Sequence, residues 1–397
     1  MKIDNKICEN AVDYSMNTIK HICKNLPPRE SGSCGERMAQ EYIAKDITDN
    51  KWADKVTFEE FEVHPKAFMA FSKIIPVLML IGIVFFYWLS WAPLAMCLIS
   101  FFIFIAQFGL YKKFLDPFYK TQISSNLIAV KKAQKEPKKR LIFSGHSDAA
   151  YEWTVFYKFG KVIFIGGLVF AIVGILTTLA ISIVSIIKGF QVWQIIVMLI
   201  FTPGYFALYM FSDYKKVVEG ANDNLTGCLA SVSVLKYMKE ANISYDNTEI
   251  MVLITGSEEA GLRGAKDFAK KHLQECREIP TIFIGLETFR DIEYLENYTR
   301  DLSGTIKHHP KAIELIDKAA IELYNKPLKH SSIYLGASDS AALTQAGIPA
   351  GAIAAMNPGP AEYYHTRKDT CDNLCPDCFM KGLKLVLTIA DIYAKED

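Results

Sequence analysis

The stretch EGANDNLTGCLASVSVLKYMKEANISYDNTEIMVLITGSEEAGLRG, from Glu219 to Gly264, decides the fold. It holds two short polar motifs, GANDNLTG (Gly220 to Gly227) and TGSEEAGLRGA (Thr255 to Ala265). Between them lie the amphipathic run SVSVLKYMKEA and the apolar run IMVLIT. This order predicts loop, helix, strand, loop, helix, the rhythm of an α/β sheet protein. The strand delivers Glu258 and Glu259 just past its carboxyl end, where open α/β sheets place their ligands. Taken alone, adjacent glutamates at a helix start are a favourable first-turn charge. At a buried strand end they are costly unless positive charge sits beside them, and a metal is the simplest such partner.

Working outward, Lys55 to Val63 (KVTFEEFEV) alternates as a strand does, and Ser125 to Lys132 (SNLIAVKK) follows as another. Arg140 to Ser144 (RLIFS) is a short buried strand that runs into Gly145-His146-Ser147-Asp148. Strand Thr281 to Leu286 ends on Glu287, and a strand over 350–355 precedes the turn-rich loop PGPAEYYHT (Pro358 to Thr366). Helices are expected within residues 1–50 and over 228–241, 261–273, 310–325, 338–346 and Cys378 to Lys395. No internal repeat and no long disordered segment interrupts this pattern.

The formal net charge of +1 comes from interspersed acids and bases, with no aromatic-basic interleaving, so no nucleic-acid partner is expected. The hydrophobic fraction of 51% is high for a chain of 397 residues, and the excess is local. Ile74 to Tyr111, Val162 to Ile187 and Gly189 to Ser212 contain no charged residue. A membrane span needs roughly 20 apolar residues. The first run therefore predicts a hairpin of helices near 74–90 and 93–111, and the other two predict a second hairpin. Trp88, Trp91 and Trp193 fall at the expected helix ends, where interfacial aromatics belong.

Lys and Arg crowd the segment between the hairpins from Lys112 to Lys161, whereas the two hairpin tips hold only Lys188. The positive-inside rule then predicts a multi-pass protein in the lipid bilayer with its polar domain in the cytoplasm. The polar N-terminal residues predict no signal peptide. Nine cysteines, an odd number, agree with a reducing compartment. Cys371, Cys375 and Cys378 form a C-x3-C-x2-C cluster that reads as reduced thiols at a helix start rather than as a metal site. The expected organisation is 1–73, 112–161 and 213–397 as one α/β domain, interrupted by hairpins at 74–111 and 162–212.

Four apolar strands thus end in metal-ligand side chains: His146 with Asp148, Glu258 with Glu259, Glu287, and His365. Asp223 sits in a Gly-Asn-Asp-Asn loop at a helix start. Imidazole and carboxylate together suit zinc, with cobalt or manganese as alternatives. A shared carboxylate allows two ions to be clamped side by side. A metal-bound histidine needs its other ring nitrogen hydrogen-bonded, and Asp148, two residues after His146, is the candidate.

These motifs resemble the M28 family of zinc peptidases. The matching residues are SGHSD (144–148), GANDNLTG (220–227), TGSEEAGLRGA (255–265), Glu287, GASDSAALTQAGIPA (336–350) and YYHTRKDT (363–370). The resemblance implies a phosphorylase/hydrolase-like mixed-sheet α/β domain, here with two inserted transmembrane hairpins. It implies a dizinc aminopeptidase acting on peptides. Asp223 would bridge two zinc ions, Glu259 and His365 would complete one site, and His146 and Glu287 the other. Glu258 would be the general base, and Tyr364 would help stabilise the oxyanion. Two departures stand out. Glu287 occupies a position commonly held by Asp, which leaves Asp291 as a second candidate, and the SDSAA loop lacks a His often found there.

The second hairpin lies between two expected ligands, His146 and Asp223. The active site is therefore expected close to the membrane face, with hydrophobic or membrane-derived peptides as one substrate class and a general, merely anchored peptidase as the other. A glutaminyl-peptide cyclase and a carboxypeptidase are alternatives on the same fold. An inactive peptide-binding membrane protein is the alternative of another class, disfavoured because all five ligands and the base are present. A transporter is disfavoured because the spans carry no charged residue. No small-xxx-small motif argues for an oligomeric state.

Overall fold

Runs of β-branched and aromatic residues suit a pleated, buried surface. The computed structural model describes residues 3–396. In it, the strands are β1 (Lys55–Val63), β2 (Gln122–Lys131), β3 (Lys139–His146), β4 (Tyr151–Glu152), β5 (Asp213–Val217), β6 (Thr248–Thr255), β7 (Thr281–Phe289), β8 (Leu295–Asp301), β9 (Ile306–Lys307), β10 (Lys329–Ser332) and β11 (Ala350–Ala355), with such runs in β1, β2, β3, β6 and β7. One nine-stranded sheet has the order β1-β2-β6-β3-β7-β11-β8-β10, with β9 paired to β8, while β4 and β5 pair separately. The central strands β6, β3, β7 and β11 are mutually parallel. Antiparallel strands flank them: β2 joins β6 on one side and β8 joins β11 on the other.

Alternation along the central strands feeds two helical layers. Leu141, Phe143, Val252, Ile254 and Ile284 point into one core, shared with helices Asn5–Asn25, Cys34–Asp49, Thr226–Glu240, Pro310–Tyr324 and Pro376–Lys395. Ile142, Met251, Leu253 and Phe283 point into the other, against helices Arg263–Glu278 and Asp339–Ala346. Burial on both faces explains why these strands read as continuous apolar runs.

Four helical segments, Phe68–Phe85, Ala92–Gly109, Thr154–Lys188 and Val192–Tyr209, are long and apolar enough to cross a membrane. They pack on one another through Met79, Cys97, Ile175, Met198 and Tyr205. Their outer faces leave Val84, Phe102, Val162, Ile187 and Phe206 exposed. A contiguous apolar surface of that kind calls for a covering medium.

Several expected boundaries are corrected. The first helix of hairpin one ends at Phe85 rather than at residue 90, because Phe86 to Trp91 form the turn. The third segment begins at Thr154, eight residues before the uncharged run, and bends at Gly160, whose φ is +75°. Its first residues, Thr154 to Phe156, are buried, whereas Lys158 and Lys161 are exposed. The fourth is split into Val192–Ile200 and Thr202–Tyr209, because Pro203 cannot continue a preceding helix. Glu287 lies within β7 rather than after it. The strands β8 and β10 were not expected, since LENYTRD and KHSS have little apolar alternation. They form because β11 and β8 offer a partner edge.

A buried ion pair ties the segment that follows hairpin one to the start of the helix that follows the Glu258–Glu259 loop. Arg263 Nη2 lies 2.9 Å from Asp116 Oδ1, both side chains being almost wholly enclosed. Asp116→Ala strands the guanidinium and is expected to cost about 3–5 kcal/mol. An apolar Asp116→Leu/Arg263→Met pair should recover most of that loss. Denaturant unfolding in detergent checks both.

Candidate metal centre and active site

The carboxyl ends of the four parallel strands converge on one spot. His146 is the last residue of β3, and Glu287 stands in the final turn-out of β7. Glu258 and Glu259 follow β6 in a tight loop whose Ser257 and Gly261 have φ of +54° and +99°. His365 is carried by the loop after β11, and Asp223 by the turn ahead of helix Thr226–Glu240, with a cis peptide to Asn224. Gly227 admits no side chain here, because a Cβ would lie 2.0 Å from Leu286 O.

Asp223 stands at the centre. Its Oδ1 is 3.3 Å from His146 Nε2, and its Oδ2 is 3.3 Å from His365 Nε2. His146 Nε2 is also 3.9 Å from both Glu287 Oε2 and Glu258 Oε2. His365 Nε2 is 3.1 Å from Glu259 Oε1. Among the described residues three groups have metal-ligand spacing: His146 with Asp223 and Glu287, Asp223 with Glu259 and His365, and His146 with Glu258 and Glu259. Asp223 is shared by the first two, one oxygen facing each imidazole. The sequence-expected ligands are thus brought together, and Asp291 is not among them. Its Oδ2 instead accepts from the Asn357 amide at 2.9 Å and the Tyr363 hydroxyl at 3.0 Å. Among the described residues no metal-spaced group includes Cys371, Cys375 or Cys378, which are free thiols.

A divalent metal fits this donor set. Buried Glu259 Oε1 has no hydrogen-bond partner, although an imidazole nitrogen faces it. Four carboxylates meet only two imidazoles. Burial, then the surrounding carboxylates, push the Glu258 and Glu287 pKa values well above the ordinary range. Burial alone would lower the histidines. Against it, Glu258, Asp148 and Asp223 raise His146 well above its usual value, and Glu259 and Asp223 push His365 up to about 10. The site is short of positive charge, and a cation would supply it.

Asp148 lies against His146, whose Nδ1 is 3.3 Å from the Asp148 backbone carbonyl oxygen. Its Oδ1 is 3.3 Å from His146 Nδ1. Its two oxygens also accept from the Glu258 and Glu259 amides, each at 3.0 Å, and from Ser31 Oγ at 2.6 Å. One carboxylate therefore orients a histidine and pins the Glu-Glu loop. Three supporting residues escaped the sequence reading. Asp369 accepts from the Asn222 and Asp223 amides at 2.8 and 3.0 Å, fixing the central aspartate. Glu36 accepts from the Ser257 amide at 2.6 Å and from Ser124 Oγ at 2.8 Å. Asn224 Nδ2 donates to Glu287 Oε2 at 2.6 Å. Asp369 and Asn224 lie inside quoted motifs. Glu36 sits on an ordinary amphipathic helix and carried no signal.

The metal-spaced residues floor a cavity of about 190 Å³, walled by Phe68, Phe108, Tyr111, Trp153, Tyr298 and Tyr364. The Tyr364 ring stacks on His365 at 4.0 Å, and Trp153 packs edge-on against the same imidazole at 4.6 Å. Burial, then Asp223 and Glu259, keep the Tyr364 hydroxyl protonated, so it is a donor.

Residues 205–390 match the model of peptidase family M28. A protein of Acetivibrio thermocellus, provisionally named an aminopeptidase, is 29% identical over 167 residues. That match covers 39% of this chain, and the chain spans about half (46%) of the curated relative's length. Among solved structures, the zinc aminopeptidase BSAP of Bacillus subtilis superposes with a TM-score of 0.59 at 15% identity, covering 97% of this chain and 96% of its own. The aminopeptidase of Aneurinibacillus sp. strain AM-1 gives 0.58 at 14%, covering 98% and 95%. The glutaminyl cyclase of Fimbriiglobus ruber gives 0.58 at 15%, covering 96% and 95%. These likenesses establish the mixed-sheet fold.

Removing Asp148 unpins both the imidazole and the loop. Asp148→Ala is expected to weaken zinc binding about 10- to 100-fold, the usual range for a lost outer-shell partner. Titration of the purified protein against a competing chromophoric chelator measures it.

Proposed function

We propose that this chain is a member of peptidase family M28 and a membrane-anchored, zinc-dependent aminopeptidase that removes N-terminal residues from peptides. The observation that carries the reading is the shared Asp223, flanked by one His-carboxylate pair on each side. His146, Asp223 and Glu287 would hold one zinc ion, and Asp223, Glu259 and His365 a second. Zinc, when bound, supplies Lewis acidity to a carbonyl oxygen and to water. Glu258 takes a proton from the attacking water and returns it to the leaving amine. Its loop holds the carboxylate 3.9 Å from His146 Nε2, because Asp148 accepts from the backbone amides on either side of the Glu258–Glu259 peptide. The Tyr364 hydroxyl, a protonated donor on the cavity wall, supports the oxyanion. The aromatic wall excludes water from the reacting carbonyl.

The domain organisation follows the same reading. Segments 1–73, 112–161 and 213–397 build the peptidase domain, and the helical pairs within 74–111 and 162–212 cross the bilayer. The crowding of Lys and Arg between the hairpins supports a cytoplasmic catalytic domain.

Detergent-purified protein should release N-terminal residues from aminoacyl reporter substrates. A chelator should abolish release and zinc restore it. Glu258→Gln should lower kcat by roughly 10²- to 10⁴-fold, the range for a lost general base, with zinc still bound by elemental analysis. Tyr364→Phe with unchanged turnover would remove that residue from the mechanism. Pyroglutamate as product would mark a cyclase, and a released C-terminal residue a carboxypeptidase. Inert protein without metal would mark a binding module.

A further inference from the structure

All four apolar helical segments end at the wall of the same cavity. Phe68 and Met69 open the first segment, and Phe108 lies in the last turn of the second. Trp153 immediately precedes the third, and Ser212 follows the fourth by three residues. These residues are built into the wall rather than tethered near it. An aromatic column runs from inside hairpin one into the cavity. Phe71 packs on Phe104 and Phe108 at 5.7 and 5.2 Å, Phe108 on Phe68 at 6.2 Å, and Phe68 on Tyr111 at 4.6 Å. Hairpin two reaches the opposite side. Phe164 stacks on Trp153 at 5.3 Å, and the Trp153 amide donates to His365 O at 2.8 Å.

Length then sets the height of the cavity above a bilayer. Three of the four segments are 18 residues long. At 1.5 Å per residue that is about 27 Å of helix, against a hydrocarbon thickness of about 30 Å. The first two segments therefore have no slack to lift their roots into water, whereas the third, at 35 residues, has length to spare. Phe68 and Phe108 must sit at the hydrocarbon edge while they line the cavity. Trp88, Trp91 and Trp193, at the far ends of the segments, are all more than half exposed, as residues of the opposite interface would be.

We propose that the roots of the hairpins form the substrate wall, and that the enzyme trims peptides residing in the bilayer, taking an apolar N-terminal side chain between Phe68, Phe108 and Tyr111. This rests on the aminopeptidase reading and adds the substrate class and the residues that select it. The peptide's apolar length stays in the lipid, and its N-terminus is offered at the surface where the cavity lies. Phe68 and Phe108 belong to the apolar helical segments, so this part of the wall is not supplied by the sheet.

The test uses the full zinc-loaded chain in nanodiscs of zwitterionic and anionic phospholipid, with three substrates. The first is a soluble leucyl reporter amide. The second is a soluble peptide with N-terminal Leu, and the third is the same peptide extended by an apolar, bilayer-partitioning tail. The tailed peptide is expected to be favoured at least tenfold in kcat/KM over the soluble one, through KM. On the tailed series, Leu or Phe at the N-terminus should outrun Ala at least tenfold. Phe108→Ala should shrink that ratio severalfold, and Phe108→Leu should restore most of it. If Phe108→Ala does not fold, the wild-type comparison of the two peptides still decides. Equal kcat/KM for soluble and tailed peptides, with the reporter cleaved, overturns the proposal and leaves the aminopeptidase standing. All three substrates inert with zinc bound overturns the aminopeptidase and this proposal with it.

Discussion

Placing four carboxylates within a few ångströms of two imidazoles, nearly out of water, is costly unless positive charge offsets it. The rest of the domain is arranged around that cost. Asp223 faces one histidine with each oxygen, so the two halves of the site cannot be moved independently. Its backbone is held by Asp369, the Glu258–Glu259 backbone by Asp148, and the Ser257 amide ahead of it by Glu36. Each of these supports is itself a buried acid accepting backbone N–H groups. The ligand side chains thus keep their positions through main-chain anchors, leaving their own lone pairs for a cation.

The sheet supplies the convergence. Parallel neighbours β6, β3, β7 and β11 end on the same edge, so residues far apart in sequence arrive within bonding reach without long loops. The second apolar hairpin interrupts the chain between β3 and the Asp223 turn, at that edge rather than at the opposite one. An insertion there must begin and end beside the site. This is why Trp153 packs on His365 and why the helix roots and the cavity above the metal-spaced residues share side chains. On the proposed reading, anchoring and substrate choice are therefore one structural feature.

Much of this was legible in the chain itself, because strand-end chemistry is local. An apolar run followed at once by His-x-Asp, Glu-Glu or Glu shows both the strand and what it presents, and all five expected ligands meet in the structure. The uncharged runs likewise announced four helices of spanning length, since hydropathy is summed residue by residue. Tertiary structure alone decided the rest. Strands β8 and β10 exist because a neighbouring edge pairs with them, not because LENYTRD or KHSS favours a strand. Glu36 became a support only when its helix was laid against β2 and the Ser257 loop. The choice of Glu287 over Asp291 turned on β7 running three residues further than its apolar run, which aims the first inward and leaves the second to clasp Tyr363. The convergence of four helix roots on one cavity was equally invisible. A sequence reports what each segment prefers by itself, whereas pairing, register and burial are set by which segments become neighbours.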